Sequence, residues 1–390
     1  MSTHEILILG GHHSGLQLAH YLLRHVVPKL TQASSSTSPP TTYHITIVTP
    51  NTEFFWNVAS PRLIINSTLI PEEKVFLPIA SKFAGYDESL FTFIQGKATA
   101  LDPETRSVSI SSGTTKFTYD SLVIATGASY VSPVWALNDS EVILKTEISK
   151  VREALKHGKR VLIAGGGAIG VETAGEIGHN FPSHDTTILS GSTRLLPKLL
   201  PSNSASAEAK LKALGVKTIH GVKLSSSTNH SDGTTTVTLD DGSSRTIDIF
   251  IDATGAKPNS SFLPPSWLNG TGHVTTDDQT MRTPFPHIYA LGDVASYSSG
   301  SIMDATNAVA PLGTSIAIDL AKAANLSTVF AQKVFKPMKD SQFVPTGPSG
   351  GVGQLFGFKL PSLMVWAAKS RTYLVWLAQG VVEGGNVKKP

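Results

Sequence analysis

The sequence predicts an α/β fold in which one strand–turn–helix unit occurs twice. Each copy has a short apolar run, a glycine-rich turn and then apolar residues at helical spacing: HEILILGGHHSGLQLAHYLLRHV and KRVLIAGGGAIGVETAGEIGHNF. Each copy later closes with an apolar strand that ends in Ala-Thr-Gly-Ala, residues 125–128 and 253–256. Because the repeat is architectural as well as local, two similar modules are expected.

The second glycine turn carries a complete fingerprint, Gly165-x-Gly167-x-x-Gly170, with Ala168 and Ile169 between its last two glycines. This spacing suits a tight turn, a close backbone approach to a pyrophosphate and a close helix–strand contact. The N-terminus of the following helix offers free N–H groups and the positive end of its dipole to the phosphates. The pattern therefore predicts a dinucleotide site.

The first glycine turn is incomplete. Gly10 and Gly15 occupy the outer positions, with Gly11 and Ser14 inside, but His12 stands where the second glycine is expected. A side chain there would crowd the pyrophosphate unless the turn is re-routed. The favoured interpretation gives the two adjacent histidines no catalytic role.

The strand that follows each fingerprint should end beside the cofactor ribose, where Asp or Glu is usual. The first strand ends at Thr49, and Asn51 or Glu53 could substitute for the missing carboxylate. The second ends at Ser190, followed by Arg194. A hydroxyl and a guanidinium can accept a 2′-phosphate that a carboxylate would repel. The second site is therefore expected at least to tolerate NADPH. Alternatively, the Arg194 side chain only faces solvent.

A third signature, PHIYALGDVAS, places Gly292 and Asp293 at the end of an apolar strand, where a carboxylate could accept from a cofactor hydroxyl. The stretch 305–324 that follows is predicted to be one helix.

Two turn sequences, DPET and DDGS, predict β-hairpins between the fingerprints and their closing strands. Residues 31–42, rich in Ser, Thr and Pro, are predicted to form a mobile surface loop.

Composition excludes several classes of protein. The 390 residues are 40% hydrophobic and 16% charged, and 32 Lys and Arg against 29 Asp and Glu give a net charge of only +3. That charge gives no argument for nucleic acid. The chain contains no cysteine, which excludes disulfides, thiolate metal sites and cysteine catalysis. Its 13 histidines lack ligand spacing, so no metal site is expected.

The first residues, MSTHEILILGG, lack the basic region and long apolar run of a signal peptide. No stretch reaches the 18 or so apolar residues that a spanning helix needs. A cytoplasmic protein is expected. The alternative is peripheral contact of the C-terminal segment with a membrane or lipid droplet.

The sequence resembles the flavoproteins with two dinucleotide-binding domains over almost its whole length. Within them it is most similar to the apoptosis-inducing-factor-like branch that includes ferroptosis suppressor protein, and particularly to fungal AMID-like oxidoreductases. The residues that carry this resemblance are EFFWNVASPRLI, GGGAIGVETAGEI, YALGDVAS and GGVGQLFGFKLPSLMVWAAKSRTYLVW. The resemblance implies Rossmann-like domains of the glutathione-reductase type and a small C-terminal α+β region.

The resemblance also implies a division of the chain and roles for residues. Residues 1–128 and 257–330 would bind FAD, 129–256 would bind NADH or NADPH, and 331–390 would form the acceptor site or an interface. Glu172 would approach the nicotinamide, Lys369 would lie on the flavin and quinone side, and Arg62 would lie near the flavin. The predicted cofactor-binding residues are Gly10, Gly11, His12, Ser14, Gly15, Thr49, Arg62, Ala98, Ala125, Thr126, Gly127, Gly165, Gly167, Ala168, Ile169, Gly170, Ser190, Arg194, Gly255, Gly292 and Asp293.

The function implied by the resemblance is a transfer of hydride from NAD(P)H to FAD and then of two electrons to a quinone such as ubiquinone. Two alternatives stay open. One is a flavin-dependent tailoring reductase or oxidase of a soluble small molecule. The other is a non-enzymatic relative whose FAD binding is weakened by His12 and Thr49. The oligomeric state is not predicted.

Overall fold

A computed structural model describes residues 2–35, 39–111, 116–327 and 330–387. The strands are β1 Ser2–Leu9, β2 Thr41–Thr49, β3 Glu53–Phe55, β4 Phe76–Pro78, β5 Phe91–Gln95, β6 Ala98–Asp102, β7 Ser107–Ile110, β8 Lys116–Thr118, β9 Ser121–Ile124, β10 Ala128–Ser129, β11 Arg160–Ala164, β12 Asp185–Ser190, β13 Lys217–His220, β14 Leu224–Asn229, β15 Thr235–Leu239, β16 Ser244–Ile247, β17 Ile249–Asp252, β18 Lys257–Pro258, β19 Ile288–Ala290, β20 Gln342–Pro345, β21 Gly351–Leu355 and β22 Phe358–Lys359. The α-helices are α1 His13–Tyr21, α2 Val27–Ser34, α3 Ser60–Leu63, α4 Glu141–His157, α5 Ala168–Asn180, α6 Pro201–Ala213, α7 Ile302–Asn307, α8 Val309–Ala323, α9 Ser362–Val365 and α10 Ala378–Val382.

Two parallel sheets form the framework, one for each copy of the repeated unit. The first has the order β19-β9-β1-β2-β5, and the second has the order β13-β12-β11-β17. In each sheet the strand before the glycine turn lies in the interior, β1 between β2 and β9 and β11 between β12 and β17. Their apolar runs are buried, as expected for parallel strands covered on both faces. The predicted α/β fold with two Rossmann-like units is confirmed.

Smaller antiparallel sheets lie between the fingerprint and the closing strand of each module. β6, β7 and β8 form one, and β14, β15 and β16 form the other, so both predicted hairpins are present. The short strands β10 and β18 pair where the chain leaves the first module and returns to it, with Ala128 opposite Pro258. The two closing strands therefore end close to one another.

Two local predictions were wrong. Thr31–Ser34 belong to α2 and Thr41–Thr42 begin β2, so the predicted loop is much shorter; residues 36–38 lie outside the described part. The single helix predicted over 305–324 is divided into α7 and α8 at Ala308. Pro311 explains this break, because it has no N–H to donate to the carbonyl of Asn307.

The C-terminal region, from β20 onward, is attached to both modules. Strand β20 packs on α5, where a Cβ on Gly175 would lie 2.6 Å from the carbonyl carbon of Thr346. Helix α10 packs on α1, and the His20 Nε2–H donates to the Val382 carbonyl at 2.8 Å. The end of the chain therefore spans the two dinucleotide modules. In the described ranges there is no helix with the length and apolarity needed to cross a membrane.

Candidate active site

The two glycine turns have the same geometry. Gly10 has φ +118° and Gly165 has φ +122°, a backbone conformation that side chains disfavour. A Cβ on Gly10 would lie 2.2 Å from the Ala125 carbonyl oxygen. The last glycine of each turn touches the first, since a Cβ on Gly15 or Gly170 would lie 1.9 Å from the carbonyl oxygen of Gly10 or Gly165. Glycine is thus required at the outer positions of both turns.

The helices that follow these turns begin without a side-chain cap. Neither His12, the N-cap of α1, nor Gly167, the N-cap of α5, accepts a hydrogen bond through its side chain. Within the described residues, nothing lies within 4 Å of a Cβ placed on Gly167. First-turn N–H groups at such an end bind anions. Both turns therefore fit the pyrophosphate of a dinucleotide.

His12 does not lie across its helix end. Its Nε2–H donates to the Phe55 carbonyl at 2.7 Å, and its ring stacks on Phe54 at 4.7 Å. Burial lowers the pKa of His12 to about 4, so the ring is neutral near pH 7. The expected crowding of the first turn is relieved because the ring turns toward β3.

The residues predicted at the strand ends occupy the same sheet edge as the glycine turns. Thr126 and Gly127 follow β9, and the Thr126 hydroxyl donates to the Asn259 carbonyl at 2.7 Å. Gly255 follows β17, and no described atom lies within 4 Å of a Cβ built on it. Ala98 lies earlier in the chain, at the start of β6 in the smaller antiparallel sheet.

Asp293 lies after β19, beside Gly292. A Cβ on Gly292 would lie 2.6 Å from the Ser14 hydroxyl, so this turn contacts the first turn of α1. The Asp293 carboxylate accepts from the Ser298 hydroxyl at 2.9 Å, and burial raises its pKa. The third signature and the first fingerprint therefore meet at one place.

The end of β2 offers no free carboxylate in the described part of the chain. Thr49 is buried against Gly11, and the Glu53 carboxylate accepts from Lys145 Nζ at 2.5 Å. The Asn51 amide donates to the Leu137 carbonyl at 3.3 Å, while its Oδ1 is buried and has no partner among the described residues. Of the two predicted substitutes, Asn51 has the available acceptor.

Glu172 and Lys369, predicted from opposite ends of the sequence, form a buried ion pair. Lys369 Nζ donates to Glu172 Oε1 at 2.5 Å, and the Glu172 side chain is only 3% exposed. Burial raises the pKa of Glu172, an effect that Lys369 opposes. Lys369 lies on a π-helical turn, Trp366–Ser370, a distortion frequent at functional sites.

A second buried pair lies one helical turn along α5. Arg62 donates to both oxygens of Glu176, at 2.7 and 3.1 Å, and its guanidinium stacks over the Tyr373 ring at 4.6 Å. The Tyr373 hydroxyl also donates to Glu176, at 3.3 Å. Sequence reasoning missed Glu176 and Tyr373, although the i, i+4 spacing of Glu172 and Glu176 could have shown that they share a helix face.

The geometry of two glycine turns, a third strand-end aspartate and a buried ion pair accords with a match to known proteins. Residues 4–311 match the family model described as pyridine nucleotide-disulphide oxidoreductase. The chain belongs to this family. Proteins of the family bind FAD and NAD(P)H, so the predicted cofactors are confirmed, and the chain is an oxidoreductase.

Individual relatives cover nearly the whole chain. Oxidoreductase phnG of Penicillium herquei is 35% identical over 100% of this chain and 98% of its own length. Ferroptosis suppressor protein 1 of Taeniopygia guttata is 26% identical, with 96% of each chain covered. The sulfide:quinone oxidoreductase of Aquifex aeolicus has a similar structure, with a TM-score of 0.72, 15% identity and coverage of 97% of this chain and 92% of its own. The similarity to ferroptosis suppressor protein is real but distant.

Proposed function

We propose that this oxidoreductase takes hydride from NAD(P)H and passes two electrons to a quinone-type acceptor such as ubiquinone. The observation that carries the proposal is the buried Glu172–Lys369 pair in a chain without cysteine. A family member without thiols cannot use a disulfide as its electron relay. Reducing equivalents must then leave the cofactor for a diffusible acceptor.

We assign FAD to the first module, residues 1–128 and 257–330, and NAD(P)H to the second, residues 129–256. Asp293 beside Ser14 supports this order, because the first module has a buried carboxylate for a cofactor hydroxyl next to its glycine turn. When bound, FAD supplies the chemistry of hydride and electron transfer. The chain's own residues bind the cofactors, orient them and hold protons.

Reduction of a quinone to a hydroquinone consumes two electrons and two protons. The Glu172–Lys369 pair is suited to hold one of these protons, since the Lys369 ammonium lies 2.5 Å from a carboxylate whose pKa is raised. Arg62 neutralises Glu176, the other buried acid on this face of α5. Residues 331–390, which contribute Lys369 and Tyr373, are proposed to form the acceptor side.

A second candidate is the reduction or oxidation of a soluble small molecule. It is favoured by the higher identity to the fungal oxidoreductases, 35% for phnG against 26% for ferroptosis suppressor protein 1. Both candidates use the same cofactors. They differ in the acceptor that occupies the C-terminal side.

Contact of the C-terminal segment with a membrane remains a proposal. Residues Leu363 and Trp376 are 71% and 69% exposed, which supports this contact. Liposome co-sedimentation tests this contact, and a protein that stays in the supernatant would contradict it.

The test of the proposed function begins with an absorption spectrum of the purified protein. We expect a yellow protein that NADH or NADPH bleaches, and that short-chain or long-chain quinones re-oxidise. A yellow protein that neither nucleotide reduces would exclude the reductive half-reaction. Rapid bleaching without re-oxidation by any quinone would favour the second candidate.

A further inference from the structure

The end of β12 is a basic surface. From Ser190 to Leu200 the sequence contains Arg194 and Lys198 but no Asp or Glu. The fold adds a third cation, Lys223, from the segment that follows β13. The equivalent end of β2 in the first module is different, since Glu53 and Glu141 lie beside it.

Backbone hydrogen bonds hold Lys223 beside this strand end. The Gly221 N–H donates to the Ser192 carbonyl at 3.1 Å, and the Val222 N–H donates to the Ser190 carbonyl at 3.3 Å. The Lys223 side chain then crosses Gly191, where an added Cβ would lie 2.8 Å from Lys223 Cγ. Glycine at position 191 therefore makes room for the lysine stem.

The positive charges of Lys223 and Arg194 have no carboxylate partner among the described residues. In the described ranges neither side chain forms an ion pair with a carboxylate, and the Arg194 guanidinium donates only to the Pro197 carbonyl, at 2.8 Å. Two acids of neighbouring segments have other partners. Asp240 accepts the backbone N–H of Lys223 at 2.9 Å, and Glu208 pairs with His220 at 2.9 Å.

The Ser190 side chain connects this surface to the dinucleotide turn. A Cβ on Gly166 would lie 2.6 Å from the Ser190 hydroxyl, which itself donates to the Arg194 carbonyl at 3.0 Å. The ribose of a dinucleotide bound at this turn lies at the end of β12. A 2′-phosphate on that ribose would meet cations rather than a carboxylate.

We propose that Lys223, together with Arg194, binds the 2′-phosphate of NADPH and makes this chain prefer NADPH to NADH. This inference rests on the proposed assignment of NAD(P)H to the second module. Lys223 is the residue whose position could not be read from the fingerprint, because it follows the next strand. The sequence left open whether Arg194 binds the phosphate or faces solvent, and the position of Lys223 at the same strand end supports binding.

A binding experiment tests the site without turnover. With the full chain loaded with FAD, isothermal titration calorimetry compares 2′,5′-ADP with 5′-AMP, which differ by the 2′-phosphate. We expect 2′,5′-ADP to bind about tenfold more tightly or better, since charge-assisted hydrogen bonds to phosphate are strong. This advantage should fall at high salt. Equal affinities would overturn the proposal.

Variants then locate the effect. Lys223→Ala should lower kcat/KM for NADPH about tenfold while kcat/KM for NADH changes less than about twofold. Gly191→Ala keeps every charge but displaces the lysine stem, so a smaller loss in the same direction is expected. Lys217→Ala is the matched control, because this exposed lysine pairs with Asp185 at the opposite end of β12.

The results separate this inference from the proposed function. If both nucleotides bleach the flavin and Lys223→Ala leaves the ratio of their kcat/KM values unchanged, the role of Lys223 is wrong and the proposed function stands. If neither nucleotide bleaches the flavin but 2′,5′-ADP still binds preferentially, the proposed function is wrong and the 2′-phosphate site stands.

Discussion

The helices α1 and α5 begin in the same way and then differ in what they contribute. Both follow a glycine turn that ends at Gly15 or Gly170, and two residues later α1 has Gln17 where α5 has Glu172. The Gln17 amide donates to the His13 carbonyl at 2.9 Å, whereas Glu172 is paired with Lys369. The two helices therefore share one framework. At the compared position α1 carries a neutral amide, and α5 carries a carboxylate in a buried ion pair.

The C-terminal region also contacts α1 and α5 in different ways. Against α1 it contributes the Val382 carbonyl and the Asn386 amide, while beside α5 it contributes the side chains of Lys369 and Tyr373. Attachment is therefore common to both modules, while the buried Lys369–Glu172 ion pair is made with the second.

The largest effect is expected from the first glycine of each turn. Gly10→Ala should abolish FAD binding and give a colourless protein, because the added Cβ meets the Ala125 carbonyl and φ is positive. Gly165→Ala should leave the protein yellow but lower its affinity for NAD(P)H about 100-fold, or about 3 kcal/mol. Absorption spectra and nucleotide titrations measure the two outcomes.

Unfolding curves serve as the control for both glycine variants, since a chain that does not fold would also be colourless. If Gly10→Ala were folded and yellow, the assignment of FAD to the first module would be contradicted.

Next in size is the loss of the buried carboxylate. Glu172→Gln should lower kcat with a quinone about 100-fold, the range usual for a lost proton-transfer group. Gln17→Ala in the equivalent position of α1 is the matched comparison and should change kcat much less. Steady-state rates at saturating nucleotide and quinone check this expectation. Equal losses in the two variants would mean that Glu172 acts only through packing.

A smaller effect concerns His12, which has no counterpart in the second module because Gly167 stands there. Its pKa is lowered from 6.5 to about 4 by burial, so the unfolded chain binds the proton more readily. Stability is complete above pH 6.5 and is lost as the pH falls toward 4, by about 2 kcal/mol midway. Urea unfolding of wild type and His12→Gln across this range should show a flatter profile for the variant. Parallel profiles would place the pH dependence on other histidines.

The smallest effect on stability is expected at Gly167. Its φ is −81° and no described atom lies within 4 Å of an added Cβ, so Gly167→Ala should change the free energy of unfolding by less than about 0.5 kcal/mol. NAD(P)H binding should nevertheless weaken, because the added methyl group would occupy space that the bound dinucleotide needs. A large loss of stability would show instead that this glycine serves the fold.

The framework could be predicted from the sequence because its signals are local. Glycine spacing, apolar runs and turn residues predicted the strands of both parallel sheets. The end of β12 at Ser190 was predicted to the residue. The break at Ala308 was also readable from Pro311. The pairing of Arg62 with Glu176 was not, because it joins segments 114 residues apart through tertiary packing. Lys223 was missed for the same reason, and Lys369 was found only through a family resemblance.

The Glu172–Lys369 contact has a consequence for how the protein is made. It joins residues separated by 197 positions, so Lys369 leaves the ribosome well after Glu172. A nascent chain can complete both parallel sheets while Glu172 still lacks its cation. The two glycine turns can therefore form earlier in synthesis than the Glu172–Lys369 ion pair, which waits for the C-terminal region.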